Sequence, residues 1–420
     1  MLDIKFIKEN ADLIKEGARK KHIKVDVDSL IALDDKRLSV LREVEEMRAK
    51  QNIASDKISQ IQDANERSSA IAEVKELKEK LVGKESELKE IEPQWQKLMM
   101  EIPNVPDPTV PEGETDAQNM ETRKWGDLPS FDFEPRGHIE LMENLKLVEL
   151  ERGTKVAGFR GYFLRGDGAL LAMALWQFVM EEMSKIGFIP FIAPSLVRED
   201  NFVGTGWLPQ GKDEVYSTQD DLYLVGTAEV PMMGLHKDEI LKAEELPKTY
   251  VAFSPCYRRE AGSHGKDTKG IYRLHEFTKL EQIVLCEADH QESVKWHEEI
   301  TRNAENILQA LKLPYHVVVN CGGDLGLGQV KKYDIEVWVP SEKRYRESHS
   351  SSYFHDFQTR RLNIRYRDAE GKVRFAHSLN NTAIATPRIL ISLLENYQQK
   401  DGTVVVPEVL RKYLGKDVIS

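Results

Sequence analysis

Between residue 26 and about residue 102 the chain holds one glycine, Gly83, few aromatics and dense Lys and Glu, with apolar residues alternately three and four apart. Positions 30 to 61 on this spacing carry Leu30, Leu33, Val40, Val44, Met47, Ala54, Ile58 and Ile61, interrupted by Arg37 and Gln51. A second series runs through Ala70, Val74, Leu77, Leu81, Lys84, Leu88, Ile91, Trp95 and Leu98, polar only at Lys84. A 3.5-residue period sustained this far specifies a coiled coil. The intervening residues 62–69 are polar and turn-forming, so the two series should fold back as an antiparallel hairpin. At 1.5 Å per residue each arm reaches roughly 45–60 Å. Pro93 lies inside the second series and is expected to kink or interrupt that helix. Coiled coils most often oligomerise or act as spacers. An intramolecular hairpin instead satisfies its own seam and leaves its outer faces free. Basic residues such as Lys36, Arg42, Lys57, Arg67 and Lys78 could then meet phosphates, or remain solvated charges among the interspersed Glu.

Pro103, Pro106, Pro108 and Pro111 follow at a density that excludes helix and gives a stiff extended connector. From about residue 119 glycine, aromatics and β-branched runs return. Helical patterns occupy 168–186, 290–312 and 388–398, and strand-like runs 250–254, 282–286, 315–319 and 335–339. The expected organisation is α+β: a helical N-terminal domain over 1–102, a linker over 103–118 and a folded domain over 119–420. With 420 residues, 40% of them hydrophobic, the chain can bury more than one core. No run approaches the ~20 apolar residues of a membrane span, and MLDIKFIKENADLIKEG is too charged for a signal peptide. Cys256, Cys286 and Cys321 are too scattered for a disulfide framework or a zinc site and read as free thiols of a reducing cytosol. The formal charge of −11 argues against general coating of nucleic acid but leaves room for local basic patches.

Phe253 to Glu281 is the stretch that points to chemistry. The apolar run Tyr250–Phe253 leads to Arg258-Arg259-Glu260, then a glycine-rich basic loop (Gly262, Gly265, Lys266, Lys269, Gly270), then Tyr272-Arg273-Leu274-His275-Glu276-Phe277. This pattern predicts two antiparallel strands joined by a long loop. Arginine suits phosphate because its planar fork donates two parallel charge-assisted hydrogen bonds. Glu260, two residues on, should project from the same strand face. Phosphate at Arg258 and an exocyclic amine at Glu260 would suit a nucleotide; an isolated R-x-E is more often a solvated hairpin.

The segment resembles motif 2 of class II aminoacyl-tRNA synthetases, and specifically that of bacterial-type seryl-tRNA synthetases. Supporting stretches follow in fixed order: Leu224–Pro231 (LVGTAEVP), Cys321–Gly326 (CGGDLG), Tyr333–Trp338 (YDIEVW), Arg346–Ser351 (RESHSS), then Leu379–Thr382 (LNNT) running into Arg388 and Leu394–Gln398. The resemblance spans nearly the whole chain. It implies a catalytic domain built on an antiparallel sheet flanked by helices, preceded by a hairpin that grips the long variable arm of the tRNA.

It further implies that serine is activated by ATP to seryl-adenylate and transferred to tRNA(Ser), and to tRNA(Sec) where present. Arg258 and Arg388 would be catalytic. Along ATP the resemblance implies Arg258, Arg259, Glu260, Arg273, Leu274, Phe277, Glu347, Ser348, His349, Ser350 and Arg388, with Phe277 under the adenine. Glu347 and Ser350 would hold Mg2+, whose preference for oxygen donors they match. No H-E-x-x-H or C-x-x-C pattern points to zinc. Around serine it implies Thr227, Ala228, Glu229, Arg258, Glu281, Asn380 and Thr382. Thr227 and Glu229, at strand spacing, would meet the ammonium; Glu281 and Thr382 would hold the hydroxyl. Some members carry Asn-Gly-Ser and a glycine before the last arginine; here Asn380-Asn381-Thr382 and Pro387 stand instead, and Thr382 keeps the hydroxyl. Leu170–Ile186 with the strand ending at Pro194 matches motif 1 and implies a homodimer. The loop Ser263–Gly270 would close over ATP and then help seat the tRNA acceptor end. A relative that loads a carrier protein would not need so long a hairpin. An RNA-binding paralogue without activity would not need all of these positions, and a purely structural coiled-coil protein leaves 119–420 unexplained.

Overall fold

The computed structural model describes residues 1–262, 265 and 267–420, which form two compact units, Met1–Val105 and Pro106–Ser420. In the first unit, α1 (Ile4–Glu9) and α2 (Ala11–Lys20) precede two long helices, α3 (Val27–Ile58) and α4 (Ala64–Glu101). The hairpin seam expected from the heptads is present: Val40, Val44, Leu81 and Ile91 are buried together, with Leu33, Met47 and Leu88 packed on them. Lys84, the polar exception of the second series, reaches Glu43 on the other arm at 2.9 Å and Glu87 on its own at 3.1 Å. Arg37, the exception of the first, stacks over Trp95 at 4.5 Å and pairs with the buried Asp34.

Two local expectations differ. Residues 64–69 are helical, not part of the turn, because Asp63 caps α4 by accepting from the backbone N–H of Asn65 and Glu66. And Pro93 does not interrupt α4, which continues through it as one helix. The partners that α4 finds along the seam outweigh the hydrogen bond a proline removes.

The second unit is built on an eight-stranded sheet. Its strands are β1 (Met120–Trp125), β2 (Ile189–Ile192), β3 (Lys248–Tyr257), β4 (Glu276–Cys286), β5 (Tyr315–Val319), β6 (Lys331–Val339), β7 (Arg344–Tyr353) and β8 (His377–Thr386). They are ordered β1-β5-β6-β7-β8-β4-β3-β2. All neighbours are antiparallel except the edge pair β2 and β3. Among the helices around it are α5 (Asp167–Lys185), α6 (Glu229–Gly234), α7 (His290–Ala310), α8 (Phe357–Leu362) and α9 (Arg388–Asn396). α5, α7 and α9 pack into the main core through Leu175, Phe178, Ile300, Leu308, Ile389 and Leu393. The proline-rich segment has no regular structure before Asp116, yet it is no free-standing spacer. The Asp107 N–H donates to the Val330 carbonyl, the Tyr353 hydroxyl donates to its carboxylate, and the Gly322 N–H donates to the Pro111 carbonyl.

β7 and β8 each carry one extra residue. Ile335 and Glu336 pair with His349 and Glu347, skipping Ser348; Leu280 and Glu281 pair with Ile384 and Thr382, skipping Ala383. Such bulges re-aim side chains by shifting the alternation by one. Their consequence is felt in the cavity above them.

Candidate active site

β3 and β4 pair over ten residues, from Tyr257↔Glu276 to Lys248↔Leu285, as the antiparallel hairpin expected. Of the loop between them, Ser263, His264 and Lys266 lie outside the described residues. A cavity of about 410 Å3 opens above β4, β7 and β8, lined on its floor by Phe277, Lys279 and Glu281. These three stand two apart on β4 and share a face.

Arg258 is the first residue after β3, and its guanidinium sits 5.3 Å from the Phe277 ring and 5.8 Å from that of Trp207. Glu260 does not share a strand face with it as expected: the chain has left the strand, and Glu260 has φ +55°. That left-handed turn, uncommon for a residue with a side chain, brings its carboxylate into the cavity beside Arg273, 2.6 Å away. Arg273 also faces Asp267 at 3.8 Å. On the opposite wall Arg388, the first residue of α9, pairs with Glu347 at 3.3 Å and lies 4.6 Å over the Tyr272 ring. Arg346 covers the same ring at 3.7 Å. Burial alone would lower the Arg388 pKa, but Glu347 leads the contributions that hold it raised. Desolvation pushes Glu347 up, and Arg388, Lys332 and Arg258 pull it below the ordinary carboxylate range. Both groups are therefore charged.

Glu347 and Ser350 are three residues apart, which on a regular strand would set them on opposite faces. The bulge at Ser348 restores them to one face, and both line the cavity. The bulge at Ala383 likewise brings Thr382 directly opposite Glu281. Glu281 is buried, forms an ion pair with Lys279 and accepts from the Thr382 hydroxyl; burial raises its pKa against these partners. Asn380 lines the same end.

Thr227 and Glu229 share this end without strand geometry, because 227–228 is a turn and Glu229 opens α6. The Glu229 N–H donates to the Thr227 hydroxyl at 3.3 Å, and its carboxylate accepts from Gln358 at 2.6 Å. Burial, with repulsion from Glu281, pushes the Glu229 pKa up to about 7 despite the Gln358 bond. A carboxyl so placed gains most from an incoming cation.

Leu274 and Ser348 also line the cavity, whereas three of the expected residues do not. Ala228 is packed in a core cluster. Arg259 is exposed, its N–H tied to the Glu214 carbonyl. His349 is buried between Ser348 Oγ (2.7 Å) and the Ala383 carbonyl (3.2 Å), and burial lowers its pKa to about 4. Conversely, Tyr272, Lys279 and Trp207 line the site unexpected by sequence. Lys279 was legible, lying between Phe277 and Glu281 at period two. Tyr272 adjoins Arg273 in the motif, but Trp207 and Gln358 carry no local signal.

Residues 214–397 match the class II tRNA synthetase core domain (G, H, P, S and T), and residues 1–106 match the seryl-tRNA synthetase N-terminal domain. The chain is 47% identical to the serine–tRNA ligase of Deinococcus radiodurans over 99% of this chain and 98% of that protein. It is 43% identical to that of Thermodesulfovibrio yellowstonii over the full length of both. Among solved structures it resembles seryl-tRNA synthetase from Pyrococcus horikoshii complexed with ATP, with a TM-score of 0.92 and 38% identity over 100% of this chain and 99% of that one. It also resembles the cytoplasmic serine–tRNA ligase of Naegleria fowleri in complex with AMP, with a TM-score of 0.88 and 33% identity over the same shares.

Proposed function

The chain belongs to the seryl-tRNA synthetase family, whose activity is serine–tRNA ligation, and from that premise we propose that its cavity makes seryl-adenylate from L-serine and ATP. Serine then passes to tRNA(Ser), and to tRNA(Sec) where one exists. The observation that carries this reading is the convergence of three guanidiniums (Arg258, Arg273 and Arg388), the Glu229 carboxyl with its pKa pushed up to about 7, and the Glu281–Thr382 pair on one cavity.

In the activation step a serine carboxylate oxygen forms a bond to the α-phosphorus of ATP as the bond to the departing pyrophosphate breaks. Negative charge gathers in the transition state, so positioning and fixed positive charge supply most of the catalysis. Arg258 lies between the two reacting groups and neutralises both. Phe277 stacks beneath adenine, and Glu260 accepts from its exocyclic amine with Leu274 alongside. Arg388 faces the phosphate tail, and Arg273 joins it by exchanging Glu260 and Asp267 for phosphate oxygens. Glu229 and Thr227 take the serine ammonium, while Glu281, Thr382 and Asn380 surround the hydroxyl. The donor set fits Mg2+: an ionised Glu347 carboxylate shares a strand face with the Ser350 hydroxyl. Mg2+ bound there would neutralise and orient the polyphosphate.

The α3–α4 hairpin is read as the tRNA-binding arm, on the N-terminal family match. A homodimer is favoured by exposed apolar side chains on α5 and the edge strand β2: Leu170, Met173, Ile189 and above all Ile192, 84% exposed. None of the helices in the described residues is long and apolar enough to cross a membrane. We place the enzyme in the cytoplasm, where its tRNA is. The direct test is serine-dependent ATP–pyrophosphate exchange followed by charging of tRNA(Ser) and tRNA(Sec) transcripts. Exchange with another amino acid in preference to serine would overturn the reading.

A further inference from the structure

The guanidinium of Arg258 is loosely tethered: its two contacts to the Gly226 carbonyl are both 3.4 Å long. Beyond these contacts and the Phe277 and Trp207 rings beside it, its position depends on where its main chain is held. One residue holds that main chain from both sides. The Arg258 N–H donates to the His275 carbonyl at 2.9 Å, and the Arg258 carbonyl accepts from His275 Nδ1 at 3.0 Å.

The last ladder pair of the hairpin is Tyr257↔Glu276. The next, Arg258 with His275, falls at a position where an antiparallel ladder exchanges two backbone bonds. Only one of the two is a backbone bond here. The chain beyond His275 turns to deliver Leu274 and Arg273 into the cavity, and the imidazole supplies the second donor. A carbonyl only accepts, so Nδ1 carries the hydrogen in either charge state of the ring. The ring is itself oriented edge-to-face against Phe159 and Tyr216, each at 6.4 Å. It forms part of the wall of a second cavity, of about 250 Å3, on whose lining Tyr162 and Tyr257 also lie.

We propose that His275 is a positioning residue for amino-acid activation: its Nδ1–H completes the ladder at Arg258 and thereby sets the guanidinium on the reacting phosphate. The proposal rests on reading Arg258 as the α-phosphate clamp. A misplacement of about 1 Å can cost on the order of a hundredfold in rate.

The test compares H275N, H275Q and R258A, with the double variant H275Q/R258A, in serine-dependent pyrophosphate exchange. Asparagine sets an amide N–H where Nδ1 stands. Glutamine sets it one bond further, out of reach of the Arg258 carbonyl, while keeping the site polar. H275Q should lose roughly 10- to 100-fold in kcat with KM for serine and ATP changed less than about threefold. H275N should stay within about threefold of the parent, and H275Q should add less than about twofold on top of R258A. Equal losses in H275N and H275Q would mean that ring shape matters and not the donor. No loss in either, a change confined to KM, or full additivity with R258A would each overturn the proposal. Near-normal R258A would instead sink the reading of Arg258 itself, so the two failures are distinguishable.

Discussion

Glu229 and Glu281 are two buried carboxyls at one end of the cavity, and burial raises the pKa of both. Burial pushes the Glu229 pKa up to about 7, and on the proposed reading the ammonium of serine binds only its ionised form well. The sign follows directly: serine binding releases a proton, so KM for serine should fall about tenfold as pH rises from 6 to 8 and level off above. E229Q should flatten the profile at a weak KM; a parent KM independent of pH over this range would remove Glu229 from the ammonium site. On the same proposed reading, Glu281 and Thr382 bear on selectivity. T382V keeps the shape and removes one hydroxyl, and should cost about 1–3 kcal/mol in kcat/KM for serine with little change for alanine. E281A should damage serine activation more severely and narrow the preference over alanine, because the parent pocket penalises alanine by leaving buried polar groups unpaired. Equal factors for both substrates would mean that neither side chain reads the hydroxyl.

Elements with a long period were legible in the sequence, and their ends and faults were not. The hairpin seam, β3, β4 and α7 follow from repeated apolar spacing, which many residues report at once. The start of α4 turns on one side chain, Asp63, and the placement of Glu347 beside Ser350 turns on one extra residue in β7. No periodic pattern encodes either. That Pro93 does not interrupt α4 has the opposite reason: the packing of the whole arm outweighs the local rule. The Asp63 cap has a measurable consequence. D63A removes the acceptor for two otherwise unpaired N–H groups and should destabilise the first turn of α4 by about 1 kcal/mol. Hydrogen exchange over residues 64–70 should quicken accordingly, with exchange in β4 and β8 unchanged. Unaltered exchange in that turn would show that the cap contributes nothing to the tip of the hairpin.

At the scale of the whole molecule, the proposed function assigns separate tasks to the two units. Every residue assigned to adenylate formation lies between Thr227 and Arg388, inside the Pro106–Ser420 unit with its own core. The Met1–Val105 unit has a separate core, formed around Ile7, Ile14, Leu30 and Met99. The sequence made this division legible through composition, because the glycine-poor heptads stop where the prolines begin. The partners of Arg258 and Glu229 from distant segments, Trp207 and Gln358, could be found only in the folded chain. The central claim is that serine activation belongs to the second unit and tRNA selection to the hairpin. Its most direct test replaces residues 30–98 with a short linker and measures both reactions on the folded product. Serine-dependent pyrophosphate exchange should stay within about tenfold of the full chain, ~1.4 kcal/mol in barrier, while charging of tRNA(Ser) collapses. Loss of both reactions together in a folded protein, or charging that survives the deletion, would contradict it.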